Sequence, residues 1–235
     1  MPHDHSHLPM LSAYRDGEKI DLSHPLIENM PVWPGHPRFC HDLLSSYEKG
    51  DVSRYHALNM GEHMGTHLDA PLHFVAPPAG WSIDETPIDQ FVTRMVVQSY
   101  PGLGGGAITA DMIRATEKSD QAPIGAGDSV FFHFGWDRKW YDDTEGFFKE
   151  WPGLDADAAA CLAERKVFLV GSDCLSVDQS ISTTFPAHRT LLGAGILIGE
   201  NFNNLDKVGK IATLAAFPLP IVDGSGSPIR AVAVR

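Results

Sequence analysis

The chain has 235 residues, with 30 acidic and 18 basic side chains and a formal charge of −12 at pH 7. At 43% hydrophobic and 20% charged the composition is globular and not disordered, and the acidic balance excludes nucleic acid and anionic membrane as main partners. No apolar run approaches the ~18 residues of a spanning helix, no signal-like segment opens the chain, and three scattered cysteines against 12 histidines fit a reducing, cytoplasmic setting. Residues 1–10, with His3, His5 and His7, read as a frayed tail, and residues 11–235 as one domain. Lys19 to His24 is strand-like. Pro31, Pro34 and Pro37 with Gly35 then forbid helix or central strand, and make a rigid turn around Trp33 that suits a pocket wall. Arg54 to Met60 alternates as a strand, and Arg94 to Ser99 is a buried strand. Ile108 to Lys118 has helical spacing. Ser129 to Phe134 is a further apolar strand. Asp155 to Arg165 is an alanine-rich helix with acids first and bases last, leading into a strand over Lys166 to Val170. Pro186 to Leu192 is a short helix with Thr183 or Thr184 available as its cap. Strands over Ile196 to Ile198, Lys210 to Phe217 and Ile229 to Val234 complete one α/β domain around a mixed sheet or barrel.

The most informative stretch runs from Gly61 to Phe74, where His63, His67, Asp69 and His73 fall within eleven residues. On a helix, Asp69 would sit ~200° round from His67. On a flat strand, His63 and His67 would be ~13 Å apart. Metal bonds to nitrogen and oxygen of ~2.0–2.2 Å therefore require the backbone to bend between the ligands. Gly65 supplies a flexible point and Pro71 stops a helix from continuing through Asp69. The spacing is that of a folded metal loop, where periodic packing would leave it unexplained. His188, near a helix start, and Glu200, at the end of an apolar strand, read by themselves as a helix-capping or hydrogen-bonded surface histidine and a solvated strand end.

The pattern His-x-Gly-Thr-His-x-Asp-x-Pro-x-His-Phe, met at His63, Gly65, Thr66, His67, Asp69, Pro71, His73 and Phe74, resembles the signature of the cyclase family of metal-dependent hydrolases, which includes kynurenine formamidase and isatin hydrolase. Pro31 to Gly35 resembles that family's early active-site turn. Ser172-Asp173 through Asp178 resembles a later loop, and His188 to Asn201 resembles the segment with the remaining ligands. A departure lies at His36, where an acidic residue is common after Pro-Gly. The resemblance implies a swivelling β/β/α-type single domain and a dimer or tetramer. It implies His63, His67 and Asp69 on one metal, and Asp69 bridging to a second held by His188 and Glu200 where two ions are bound. Zinc and manganese suit these ligands alike. His73 resembles the family's non-ligand or loosely bound histidine. Its assigned role is proton transfer, and the alternative is a histidine that only orients a ligand.

What the resemblance implies chemically is a metal-activated water that cleaves a small aryl formamide, like N-formylkynurenine, to a free amine and a carboxylate. The runner-up is isatin-type opening of a cyclic amide or imide. A non-catalytic metal-binding scaffold is the reading of a different class. Of Trp33, Phe74, Trp81, Phe132, Trp136 and Trp140, only Trp33 is assigned to the substrate pocket. The run Gly102 to Ala107 matches Gly-x-Gly-x-x-Ala, but Pro101 interrupts the strand exit and no Lys-Ser/Thr follows, so it reads as a glycine-rich turn. No Gly-x-Ser-x-Gly elbow is present, and Cys174 reads as a buried small side chain.

Overall fold

The computed structural model describes residues 14–235; the tail expected over residues 1–10 lies outside the described residues. The chain runs β1 (Lys19–Asp21), β2 (Cys40–Ser45), β3 (Tyr55–Asn59), β4 (His67–Asp69), β5 (Val92–Ser99), β6 (Ala107–Ile108) and α1 (Ala110–Asp120). It continues through β7 (Ser129–His133), α2 (Lys139–Asp142), α3 (Thr144–Phe147), β8 (Gly153–Leu154), α4 (Ala156–Glu164) and β9 (Leu169–Ser172). The last elements are α5 (Pro186–Gly193), β10 (Leu197–Glu200), α6 (Leu205–Val208), β11 (Ile211–Pro218) and β12 (Gly226–Val234). The main sheet has the order β1-β12-β11-β5-β7-β9-β10-β4, and β4 also pairs with the start of β12. That second pairing closes seven strands into a mixed barrel, with β1 added on the outside edge of β12.

Side-chain alternation divides the strands between two cores. Leu68, Met95, Val97, Phe131, Leu169 and Leu197 point into the barrel with Phe202. Val96, Val130, Phe132, Val170 and Ile198 point outward, under Ile113 of α1, Leu162 of α4 and Leu191 and Leu192 of α5. The central strand β7 is therefore buried on both faces, as its unbroken apolar sequence requires where it lies parallel between β5 and β9. Phe131 and Phe132 are each fully buried, which stabilises the fold by roughly 1.5–3 kcal/mol per side chain.

Several element boundaries differ from the sequence expectation for local reasons. Ile108 stays in β6, because the Thr109 hydroxyl caps α1 by accepting the Met112 N–H at 3.2 Å. Asp155 caps α4 in the same way through the Ala158 N–H at 2.7 Å. Lys166 sits at φ +58°, so β9 starts at Leu169 and extends to Ser172. Neither Thr183 nor Thr184 caps α5: Phe185 occupies the cap position with φ +51°, and Pro186 opens the helix. The free N–H groups of Ala187 and His188 instead donate to Asp178, at 2.8 and 3.1 Å. The Gly102–Gly106 run is a turn. Cys40, Cys161 and Cys174 are free thiols, and Cys174 is fully buried. Among the described residues no helix is long and apolar enough to cross a membrane.

Candidate metal centre

The bend required between the motif histidines occurs at Gly65, at φ +60°, a conformation that side-chain-bearing residues rarely adopt. β4 follows at once, so His67 and Asp69 share its outer face while Leu68 fills the barrel. β10 runs antiparallel beside it with Glu200 opposite His67 and Ile198 opposite Asp69, which puts Glu200 on that same outer face. Helix α5 covers the face and brings in His188, 4% exposed. Pro71–His73 forms a single 3-10 turn that swings His73 back until its ring stacks on His63 at 3.8 Å.

His67 Nε2 lies 3.4 Å from Asp69 Oδ1 and 3.5 Å from Glu200 Oε2. His188 Nε2 lies 3.5 Å from Asp69 Oδ2 and 3.3 Å from Glu200 Oε1. These gaps are long for hydrogen bonds. They match the ~3.3–3.6 Å edges of a tetrahedron of ligands on an ion with bonds of ~2.0–2.2 Å. Asp69 thus turns one oxygen to each histidine. His63 reaches the same carboxylate, with Nδ1 2.6 Å from Asp69 Oδ1.

The far nitrogen of each histidine is spoken for. His67 Nδ1–H donates to the Gly65 carbonyl at 2.9 Å, and His188 Nδ1–H to Asp178 Oδ2 at 2.6 Å. His63 Nε2 contacts Ser225 Oγ at 2.8 Å, whose own hydroxyl donates to Glu62 Oε2 at 2.7 Å, so the imidazole is the donor. These partners leave the near nitrogens of His67 and His188 as lone pairs turned toward carboxylate oxygens, the arrangement that orients histidine for a metal, while the 2.6 Å contact of His63 Nδ1 with Asp69 is a hydrogen bond. His67 Nε2 and Asp69 Oδ2 are buried without a hydrogen-bond partner among the described residues. Such groups are costly unless a cation satisfies them. The titration behaviour agrees. Burial would lower His67, but Asp69 and Glu200 outweigh it and raise it to about 10. His188 goes up likewise, against burial, through Asp178, Asp69 and Glu200. Asp69 is held well below the usual carboxylate range: burial opposes this, and His63, His188 and His67 prevail. The residues fit a divalent cation.

His73 differs. Its ring nitrogens make no hydrogen bond among the described residues, and burial pushes it down to about 4, leaving a neutral imidazole beside the cluster. It opens onto a cavity of about 180 Å³ walled by Trp33, Phe74, Leu175 and Phe185, with His36 and Ser176 at the side and His63, His67, His188 and Glu200 at the floor. Trp33 therefore lies where the early turn suggested. Phe132, Trp136 and Trp140 are core residues, and Trp81 packs over Gly195; none of these four lines the cavity.

All six expected chemical residues, His63, His67, Asp69, His73, His188 and Glu200, converge on this site. Sequence reasoning gave no role to Asp178, Glu62, Ser225 or Phe185. Asp178 ends the loop that begins at Ser172, but nothing in its spacing points to His188. Ser225 and Glu62 are 163 positions apart, and only barrel closure unites them.

Residues 20–179 match the family described as "Putative cyclase". The chain is 33% identical over 225 residues to the kynurenine formamidase of Bacillus cereus, covering 93% of this chain and 98% of the relative. A solved isatin hydrolase bound to the product analogue thioisatinate is similar with a TM-score of 0.90 at 28% identity, over 100% of this chain and 99% of its own. A solved protein described as a potential metal-dependent hydrolase with cyclase activity gives a TM-score of 0.74 at 26% identity, over 92% of this chain and 97% of its own.

Proposed function

The chain belongs to the cyclase family, and on that premise we propose that it is a metal-dependent hydrolase that cleaves the C–N bond of a small aryl formamide, of the N-formylkynurenine kind, to amine and formate. The observation that carries this reading is the set of imidazole lone pairs and carboxylate oxygens of His67, His188, Asp69 and Glu200, spaced 3.3–3.5 Å apart at the floor of an apolar pocket. His63, His67, Asp69, His188 and Glu200 would hold one or two divalent ions, zinc or manganese. When bound, such an ion supplies a water acidified to a pKa of roughly 7 and a positive charge for the carbonyl oxygen.

The chain's own residues do the rest. Gly65, Asp178 and Ser225 fix the ring orientations of His67, His188 and His63, so the ligands need no rearrangement. Trp33, Phe74 and Phe185 take the flat aryl group and exclude water from it. A ring nitrogen of neutral His73 takes a proton from the attacking water and returns it to the leaving nitrogen, so the arene departs as an amine and not as an anion. Exposed Leu44, Tyr47, Tyr55 and Leu58 on and beside the β2–β3 sheet support assembly as a homodimer or homotetramer.

A second reading, opening of a cyclic amide such as isatin, draws support from the overlap with isatin hydrolase and needs the same groups. A metal-binding scaffold without turnover would have no use for an apolar cavity opening onto the cluster. Steady-state rates on N-formylkynurenine and isatin separate the three. A kcat/KM at least tenfold higher on the formamide is expected. Turnover of isatin alone replaces the first reading with the second, and turnover of neither, in metal-loaded protein, favours the scaffold.

A further inference from the structure

A second cluster of ligand-type side chains lies at the carboxyl ends of β7 and β9. These strands are parallel neighbours, with Phe132 beside Ser172. His133 and Asp173, each one position further on, therefore emerge together. Gly135, at φ +75°, turns the following loop so that Asp137 joins them. One ligand atom from each of His133, Asp137 and Asp173 lies within 4.8 Å of the others. The residues are 6%, 8% and 0% exposed, and none of them lines the catalytic cavity.

Most of their polar atoms are accounted for. His133 Nδ1 pairs with Ser99 Oγ at 2.7 Å. Asp137 Oδ2 accepts the Asn204 N–H at 3.0 Å. The Asp173 carboxylate accepts the N–H groups of Phe134, at 3.0 and 3.2 Å, and Trp136, at 2.8 Å. What remains is His133 Nε2 and Asp137 Oδ1, both buried and without a hydrogen-bond partner among the described residues. The nearby cations are engaged elsewhere: Arg138 pairs with Asp206 at 3.5 Å, and Lys139 Nζ sits over the Trp136 ring at 3.2 Å. Two buried carboxylates without an ion-paired cation among the described residues are costly together, and an imidazole nitrogen with two carboxylate oxygens suits zinc or manganese better than calcium or magnesium.

We propose that His133, Asp137 and Asp173 form a second cation site, distinct from the catalytic centre, that takes a divalent transition-metal ion and braces the loop after β9. That loop explains the use of such a brace. It begins at Asp173, and the Cys174 carbonyl accepts the Asn201 N–H at 3.0 Å. The Val177 N–H holds Glu200 Oε1 at 3.2 Å, and Asp178 holds His188. A cation on Asp173 anchors the stretch that positions two residues of the pocket.

The test uses full-length protein stripped with chelator and reloaded with cobalt(II), followed by metal content per chain and visible absorption. In a His67→Ala/His188→Ala background, which disables the catalytic centre, one cobalt per chain is expected to remain. Adding His133→Gln or Asp137→Asn should weaken that binding at least tenfold. No cobalt in the parent variant, or binding indifferent to both substitutions, overturns the proposal. Anomalous scattering from a cobalt-soaked crystal of the unaltered protein needs no variant to fold. A peak beside His133 Nε2 and Asp137 Oδ1 is expected, and a water there without anomalous signal overturns the site.

Discussion

His67 and Glu200 face each other across the antiparallel pairing of β4 and β10, with Nε2 3.5 Å from Oε2. That separation is too long for a hydrogen bond and right for two ligands of one ion. Sheet register sets the two residues side by side, and the bonds of His67 Nδ1–H to the Gly65 carbonyl and of the Val177 N–H to Glu200 Oε1 orient their ends. The same register places Ile198 opposite Asp69, leaving the Asp69 carboxylate free to meet His188 from the covering helix.

His73 tests the proton-transfer role. His73→Ala should retain full metal content and lose 10²–10⁴-fold in kcat on the formamide. Metal analysis alongside steady-state kinetics checks it, and a variant with both metal and rate intact would remove His73 from the chemistry.

Asp178 tests the orientation of His188. Its carboxylate accepts His188 Nδ1–H and two N–H groups at the start of α5, so Asp178→Asn weakens all three contacts. We expect metal affinity to fall 10–100-fold, as for other residues that orient a histidine ligand, with the fold preserved by circular dichroism. Competition with a metallochromic indicator measures it.

The motif itself was legible because its information is local. Gly65 and Pro71 dictate where the backbone turns, so the spacing of His63, His67, Asp69 and His73 already implied a folded loop. β7 was legible because burial on both faces leaves an unbroken apolar run. β2 was not: among the described residues it pairs only with β3, and it carries His41 and Asp42, so no alternation marks it. The capping of α5 was also hidden, because its acceptor, Asp178, lies eight positions before Pro186 and reaches the helix only through a loop. His188 and Glu200 came from the family resemblance, since their own surroundings in the sequence look ordinary.

Gly226 tests the packing around His63. A Cβ there would lie 2.6 Å from both the Leu68 carbonyl oxygen and His63 Cε1. One of these is backbone of β4, so Gly226→Ala must displace the strand or the imidazole. A stability loss of ~1–3 kcal/mol by urea denaturation and a loss of metal affinity should appear together. Unchanged values of both would show that the His63 contact does not constrain this position.

His24 gives a pH dependence. It stacks on Trp140 at 4.3 Å with both ring nitrogens buried and unpartnered among the described residues, and burial lowers it to about 4 from 6.5. The unfolded chain then binds the proton more readily than the folded one. The stability from neutral His24 is fully present above pH 6.5 and is lost as pH falls from 6.5 toward 4, by up to roughly 3 kcal/mol. His24→Phe should flatten that part of the stability–pH curve relative to the unaltered protein, since the metal ligands titrate in both. Equal slopes for the two proteins would exclude the assignment.

The proposed hydrolysis depends on a metal held by the cluster of His63, His67, Asp69, His188 and Glu200. The most direct measurement is turnover of N-formylkynurenine by one preparation as purified, after chelator, and after return of zinc or manganese, with metal content determined at each stage. On the proposed dependence, rate and bound metal fall together, recover together, and fail to recover in His67→Ala. A preparation free of divalent metal that turns over at an undiminished rate would contradict it.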